Sequence, residues 1–275
     1  MDMPIAQAPT RAHRPPPSLA SRIKAHPNAV RAVSVIVFFI AWEIFGRDVN
    51  PLFLSYPSKI FAAFQDITAS GALQKAMWAS FVPFAIGTVV SIVGGIIIGV
   101  LIAHFWWLEY TLDPFLNALY AIPRIALVPL VILWAGLETT GKVAILVSIA
   151  IFPMIINTYS GIKDVRGALL EIGRAYCASP VQIFWKITLP AATPYIMAGV
   201  RLTVGLAIIG MIVAEFFTAI TGLGGLIVFY ANAFATAKLF VPIIVIGVFG
   251  VALTELLAMV ERRLLVWRAS ERERH

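Results

Sequence analysis

Arg124, Glu215 and Glu43 are charged side chains set inside long apolar runs: AIPRIALVPLVILWAG, VAEFF and AWEIF. A charge at bilayer depth costs at least ~2.5 kcal/mol, so it must face a cavity or a partner. For Glu43 and Glu215 an ion pair or a helix-packing hydrogen bond competes with contact to a solute. Arg124 has three readings: a cation lining a pathway for an anion, a pair with Glu43 or Glu215, or a side chain reaching the edge of its span. A fourth charged motif, GLETTGK at residues 136–142, has the spacing of a phosphate-binding loop. Val143 stands where a Ser or Thr must reach magnesium, and no strand precedes the glycines, so that match carries no nucleotide. The fifth candidate is EIGRAYCASPVQIFWKITLP, residues 171–190, an ordered polar-edged stretch between two apolar runs.

The elements that must position these residues are helices in a membrane. Of the 275 residues 60% are hydrophobic and 13% charged, about half the charged share of a soluble domain. Apolar runs near 30–46, 79–103, 113–135, 143–160, 194–219 and 239–260 predict six transmembrane helices. The fold class is therefore all-α integral membrane, one domain over 29–267, with a loop at 161–193. Residues 1–28, with Pro15, Pro16 and Pro17 in a row, predict a disordered tail, and 268–275 a second tail. No small-residue cleavage site follows the first run, so that run is expected to stay as an anchor.

Basic residues orient the spans. Arg11, Arg14, Arg22, Lys24, Lys163, Arg166, Arg174, Lys186, Arg262, Arg263, Arg268, Arg272 and Arg274 fall on one face. Only Arg47, Lys59, Lys75, Lys142 and Lys238 fall on the other. The positive-inside rule places both tails and the 161–193 loop in the cytoplasm. Anionic lipid accounts for the net charge of +7, and nucleic acid is not needed. A single cysteine, Cys177, excludes an intrachain disulfide, and His13, His26, His104 and His275 are too scattered for a metal site.

Residues 171–190 read as two short helices and a bend. Ser179 is the N-cap of the second, Pro180 its first residue and Gln182 the far member of a capping box. Val181, Phe184, Trp185 and Thr188 share a face, and Pro190 is expected to end the element. Glu171 is expected to hold the first helix by hydrogen bonds across the bend. In the second span, Gly87, Ser91, Gly95, Gly99 and Ala103 form a small-residue stripe, suited to packing within the chain or to a homodimer seam. Pro83, Pro123, Pro129 and Pro153 interrupt spans, as a transport pathway tolerates.

The 171–190 segment resembles the cytoplasmic loop of binding-protein-dependent ABC importer permeases, whose pattern is Glu-Ala-Ala, three residues, Gly, nine residues, Ile-x-Leu-Pro. Glu171, the small Gly173, Ile187, Leu189 and Pro190 match it, while Ile172 replaces the first Ala and Cys177 the Gly. IPRIALVPLVILWAG, FPMIINTYSGI, GVRL and AEFF…GLGGLI follow the order of the nitrate, sulfonate, taurine and bicarbonate branch, and the similarity spans roughly 30–267. The resemblance implies a type I importer permease that works by alternating access. It implies a permease homodimer, two cytoplasmic ATPase subunits that use ATP and magnesium, and a periplasmic or lipid-anchored solute-binding protein. This chain itself would hold no cofactor and be no enzyme. Ser179 and Pro180 would stiffen the loop's second helix, with Phe184 and Trp185 as anchors for the ATPase. A loop lying on the membrane surface is the alternative. If the family's glycine has φ above zero, Cys177 there is strained. The branch leans toward a small anion, although related permeases carry pyrimidine vitamin precursors. A secondary transporter would often show matching halves, and none are visible.

Overall fold

Prolines and glycines divide the apolar runs into more pieces than hydropathy alone suggests. The computed structural model describes residues 27–218 and 221–264. Its helices are α1 (Pro27–Asp48), α2 (Pro57–Ala69), α3 (Ala72–His104), α4 (Trp106–Ala121), α5 (Val128–Ala135) and α6 (Thr139–Lys163). They continue as α7 (Gly167–Ala175), α8 (Pro180–Ile183), α9 (Leu189–Thr218), α10 (Gly222–Asn232) and α11 (Thr236–Leu264). A 3-10 turn, Arg124–Leu127, precedes α5, and a π turn, Phe184–Thr188, joins α8 to α9. The predicted tails lie outside the described residues, except that Pro27 and Asn28 open α1.

Among the described residues five helices are long and apolar enough to cross a membrane: Ala29–Asp48, Ala72–His104, Thr139–Lys163, Pro180–Thr218 and Thr236–Leu264. The expected span at 113–135 is not one of them. It is split between α4 and α5. Pro123 has no amide for the helical ladder and pushes the residue before it out of helical conformation. Ile122 is accordingly extended, at φ −72° and ψ 131°, and ends α4. Pro129, by contrast, sits in the first turn of α5, where the missing amide costs nothing. Hydropathy averages over such a break and misses it.

The centre of the molecule is α3, α6 and α9. A Cβ added at Gly95 would lie 2.5 Å from Met154 Cβ, and one at Gly99 would lie 2.7 Å from Thr158 Cβ. The stripe on α3 is thus used to bring α6 close, within one chain, rather than as a free seam for a second copy. On the far side of α6, Gly161 meets Tyr195 of α9 with the same closeness. A second cluster joins Ile60 and Ile67 of α2, Leu73 of α3, Leu223 of α10 and Val241 of α11. Trp42 of α1 leans on it, its ring 5.7 Å from Phe240 and its Nε1 donating to the Ser55 carbonyl at 2.9 Å. The rest of α1 presents Val33, Ile36, Phe38 and Ile40 outward, as a helix against lipid does.

Candidate functional site

The loop between α6 and α9 is built almost wholly by neighbours in sequence. α7 ends at Ala175 with Tyr176 as its C-cap, and Cys177 adopts φ 54°, the left-handed conformation. The Cys177 amide then donates to the Arg174 carbonyl at 2.9 Å and the Ala178 amide to Gly173 at 3.0 Å. This pair of reversed bonds is the Schellman ending, which glycine usually supplies. The expected strain at Cys177 is real, but the bend keeps the geometry a glycine would give. Two residues on, the Ser179 Oγ accepts from the Gln182 amide at 3.3 Å while the Gln182 Oε1 accepts from the Ser179 amide at 2.9 Å. The predicted capping box is present. Gly173 is buried where α7 crosses the next helix, and a Cβ there would come within 2.7 Å of Ile187 Cδ1.

Two expectations about this loop fail. Pro190 does not end the element, since helix runs unbroken from Pro180 to Thr218. A proline ring normally collides with the carbonyl four residues back, here that of Lys186. The π turn at Phe184–Thr188 widens the backbone at that point, and helix continues past the proline. Glu171 does not bridge the bend. Its side chain is exposed and makes no hydrogen bond among the described residues. The bend is held instead by the Cys177 ending and the Ser179 cap. Of the predicted apolar face, Val181 and Trp185 are exposed, Phe184 is half-buried and Thr188 is buried. Phe184 and Trp185 meet edge to face at 5.6 Å, and Ile172 and Tyr176 extend the exposed apolar surface. Ile187 and Leu189 are half-buried, Pro190 exposed.

Polar ties at the loop's base were not anticipated. Glu109 of α4 accepts from Tyr159 Oη and Lys163 Nζ of α6, each at 2.6 Å. Tyr195 of α9 donates to Asp164, and Arg201 of α9 pairs with Glu261 of α11. No local signal links residues so far apart in the chain.

The in-span charges lie in three different settings. Arg124 stands in the 3-10 turn of the α4–α5 break, half-buried. Its Nη1 donates to the Ile149 carbonyl at 3.0 Å, and its guanidinium carbon lies 4.9 Å from the Phe152 ring centre. Glu215 is fully buried and accepts from Ser80 Oγ of α3 at 2.6 Å and from the Gly224 amide of α10 at 2.7 Å. Ser80 Oγ in turn accepts from the Leu223 amide at 2.8 Å. Glu215 therefore fastens α3, α9 and α10 and caps α10 at once. Glu43 takes both guanidinium contacts of Arg47 and both the hydroxyl and the amide of Ser58. It caps α2, whose own N-cap Tyr56 makes no side-chain cap bond. The false phosphate loop is a helix connection, in which Gly136 (φ 78°) ends α5. Lys142 Nζ is spent on Thr221 Oγ1 at 2.7 Å.

Residues 91–266 match the family described as binding-protein-dependent transport system inner membrane component. The chain is 34% identical over 236 residues to the putative aliphatic sulfonates transport permease protein SsuC of Bacillus subtilis, covering 85% of this chain and 86% of that one. It is 31% identical over 239 residues to the formylaminopyrimidine transport permease protein ThiX of Halalkalibacterium halodurans, covering 86% and 94%. A solved structure of the MetNI methionine ABC transporter shares the fold, with TM-score 0.62 at 18% identity over 70% of this chain and 95% of that one. The helices, the capped loop and these matches agree: the protein belongs to the binding-protein-dependent inner membrane components, as a non-catalytic multi-pass permease of an ABC importer whose partners are a binding protein and a separate ATPase that handles the ATP.

Proposed function

We propose that this permease passes a small oxyanion of the sulfonate, taurine, nitrate or bicarbonate class, and that Arg124 meets it. The observation that carries the reading is a half-buried guanidinium at a helix break. Non-helical backbone at membrane depth persists where it is enclosed by protein or lines a cavity, and a planar cation suits an oxyanion. The sulfonate permease of B. subtilis supports the class. The ThiX relative supports a second reading, a formylaminopyrimidine-like vitamin precursor. In the complete transporter, Arg124→Ala should slow oxyanion uptake roughly tenfold or more, with assembly and membrane abundance intact. Arg124→Lys should keep part of the rate. Normal uptake by the Ala variant would reject the assignment. Native mass spectrometry of the partner binding protein would choose between anion and pyrimidine.

Two copies of the chain would enclose the pathway. α4 and α5 together would act as a broken crossing, so that both tails and the α7–α8 loop share the cytoplasmic side. There the exposed Val181 and Trp185, with Phe184 beside them, would dock on the ATPase. Glu171, Gly173, Cys177, Ser179, Pro180, Ile187, Leu189 and Pro190 would form or stiffen that contact. Glu215 and Glu43, spent on Ser80, Gly224, Arg47 and Ser58, would support the pathway by holding its helices. Glu171→Lys should impair transport and ATPase stimulation at normal abundance. Cys177, exposed here, should react with a cytoplasmic thiol reagent in the isolated permease and be protected by the ATPase. Equal labelling in both states would remove the bend from the interface.

A further inference from the structure

We propose that Pro153 is a positioning residue for Arg124, because it leaves the Ile149 carbonyl free to hold the guanidinium. The inference rests on Arg124 meeting the transported anion. In an α-helix the amide of residue 153 bonds the carbonyl of residue 149. Proline has no amide to give, and Pro153 lies inside α6 with helix on both sides. The orphaned oxygen belongs to a residue only 5% exposed, where water cannot easily satisfy it and an empty acceptor is costly. Arg124 Nη1 fills it at 3.0 Å. Phe152, three positions on and hence on the same helix face, brings its ring to 4.9 Å from the guanidinium carbon. α6 therefore grips the side chain by an edge and a face.

A second proline completes the arrangement. Pro123 breaks α4 and puts Arg124 in the 3-10 turn that faces α6, while Val128, one residue past that turn, packs with Ile145 and Ile149. One proline brings up the donor and the other exposes the acceptor. The bond to the Ile149 carbonyl fixes the place of the guanidinium.

The test is a double-mutant cycle on the whole transporter with its ATPase and binding protein. Pro153→Ala supplies the missing amide, and Pro153→Gly supplies it with no side chain, should the alanine variant fail to assemble. Thermal unfolding in detergent should show a clear loss from Arg124→Ala in the parent and a distinctly smaller one when Pro153 is already replaced. Additive losses would overturn the proposal. Reconstituted vesicles would be given radiolabelled taurine, nitrate and bicarbonate in turn. For whichever is carried, Pro153→Ala should raise the half-saturating concentration roughly tenfold, and adding it to Arg124→Ala should do no further harm. Further harm in the double variant would likewise overturn it. If Arg124→Ala leaves uptake unchanged, the anion reading fails, and the unfolding cycle alone still decides whether Pro153 holds Arg124.

Discussion

The corner at Cys177 and the corner at Gly222 both turn a helix through a residue of positive φ, 54° and 93°, yet they are held by opposite means. At Cys177 every bond joins residues no more than five positions apart. At Gly222 the turn rests on Glu215, which reaches Ser80, 135 positions away. Glycine is strongly favoured there, since φ is positive and a Cβ on Gly222 would lie 2.0 Å from Glu215 Oε1. The first corner can form before the bundle does and can move as a unit. The second exists only once α3, α9 and α10 have met. A segment that docks on a partner profits from the first design, and a wall of the membrane domain from the second.

The sharpest way to break this contrast is Glu215→Ala. It strands the Ser80 hydroxyl and the Gly224 amide and should cost roughly 2–4 kcal/mol, read as a lower unfolding temperature and less protein in the membrane. Glu215→Gln keeps an acceptor and should do much less. Comparable losses from both would show that charge, not hydrogen bonding, holds the corner. Gly222→Ala should follow, at about 1–3 kcal/mol from strain and the clash. Ser179→Ala should cost about 1 kcal/mol and speed hydrogen exchange in residues 167–190 alone. Faster exchange across α6 and α9 would mean that the loop is not autonomous. The smallest change is Cys177→Gly, a gain below about 1 kcal/mol, because relief of left-handed strain is partly offset by the freer unfolded chain. A loss would show that the thiol contributes contacts at the bend.

The same division explains what could be read from the sequence. The capping box, the strain at position 177 and the apolar lengths of α1, α3, α6, α9 and α11 depend on nearby residues, so spacing reveals them. The glycine stripe announced a close helix, and only the fold showed it to be α6 of the same chain. Glu215 was visible as a buried charge, but Ser80 as its partner was not, and neither was the tie of Glu109 to Tyr159 and Lys163. Local rules mispredicted Pro190, where an entire π turn absorbs the ring. Pro123 was legible as an interruption, but hydropathy, averaged over a longer window, still joined 113–135 into one span.

The π turn also sets the direction in which the loop looks. A turn closed by i→i+5 bonds holds one residue more than an α turn, and each helical residue advances the chain by about 100°. The Phe184–Thr188 turn therefore rotates Val181 and its neighbours about 100° around the helix axis relative to the core-facing stripe of α9. Deleting one residue from that turn should swing Val181 about a quarter of the way round the helix, and should bring the Pro190 ring back against a helix carbonyl. Aim, in this chain, is set by a residue count.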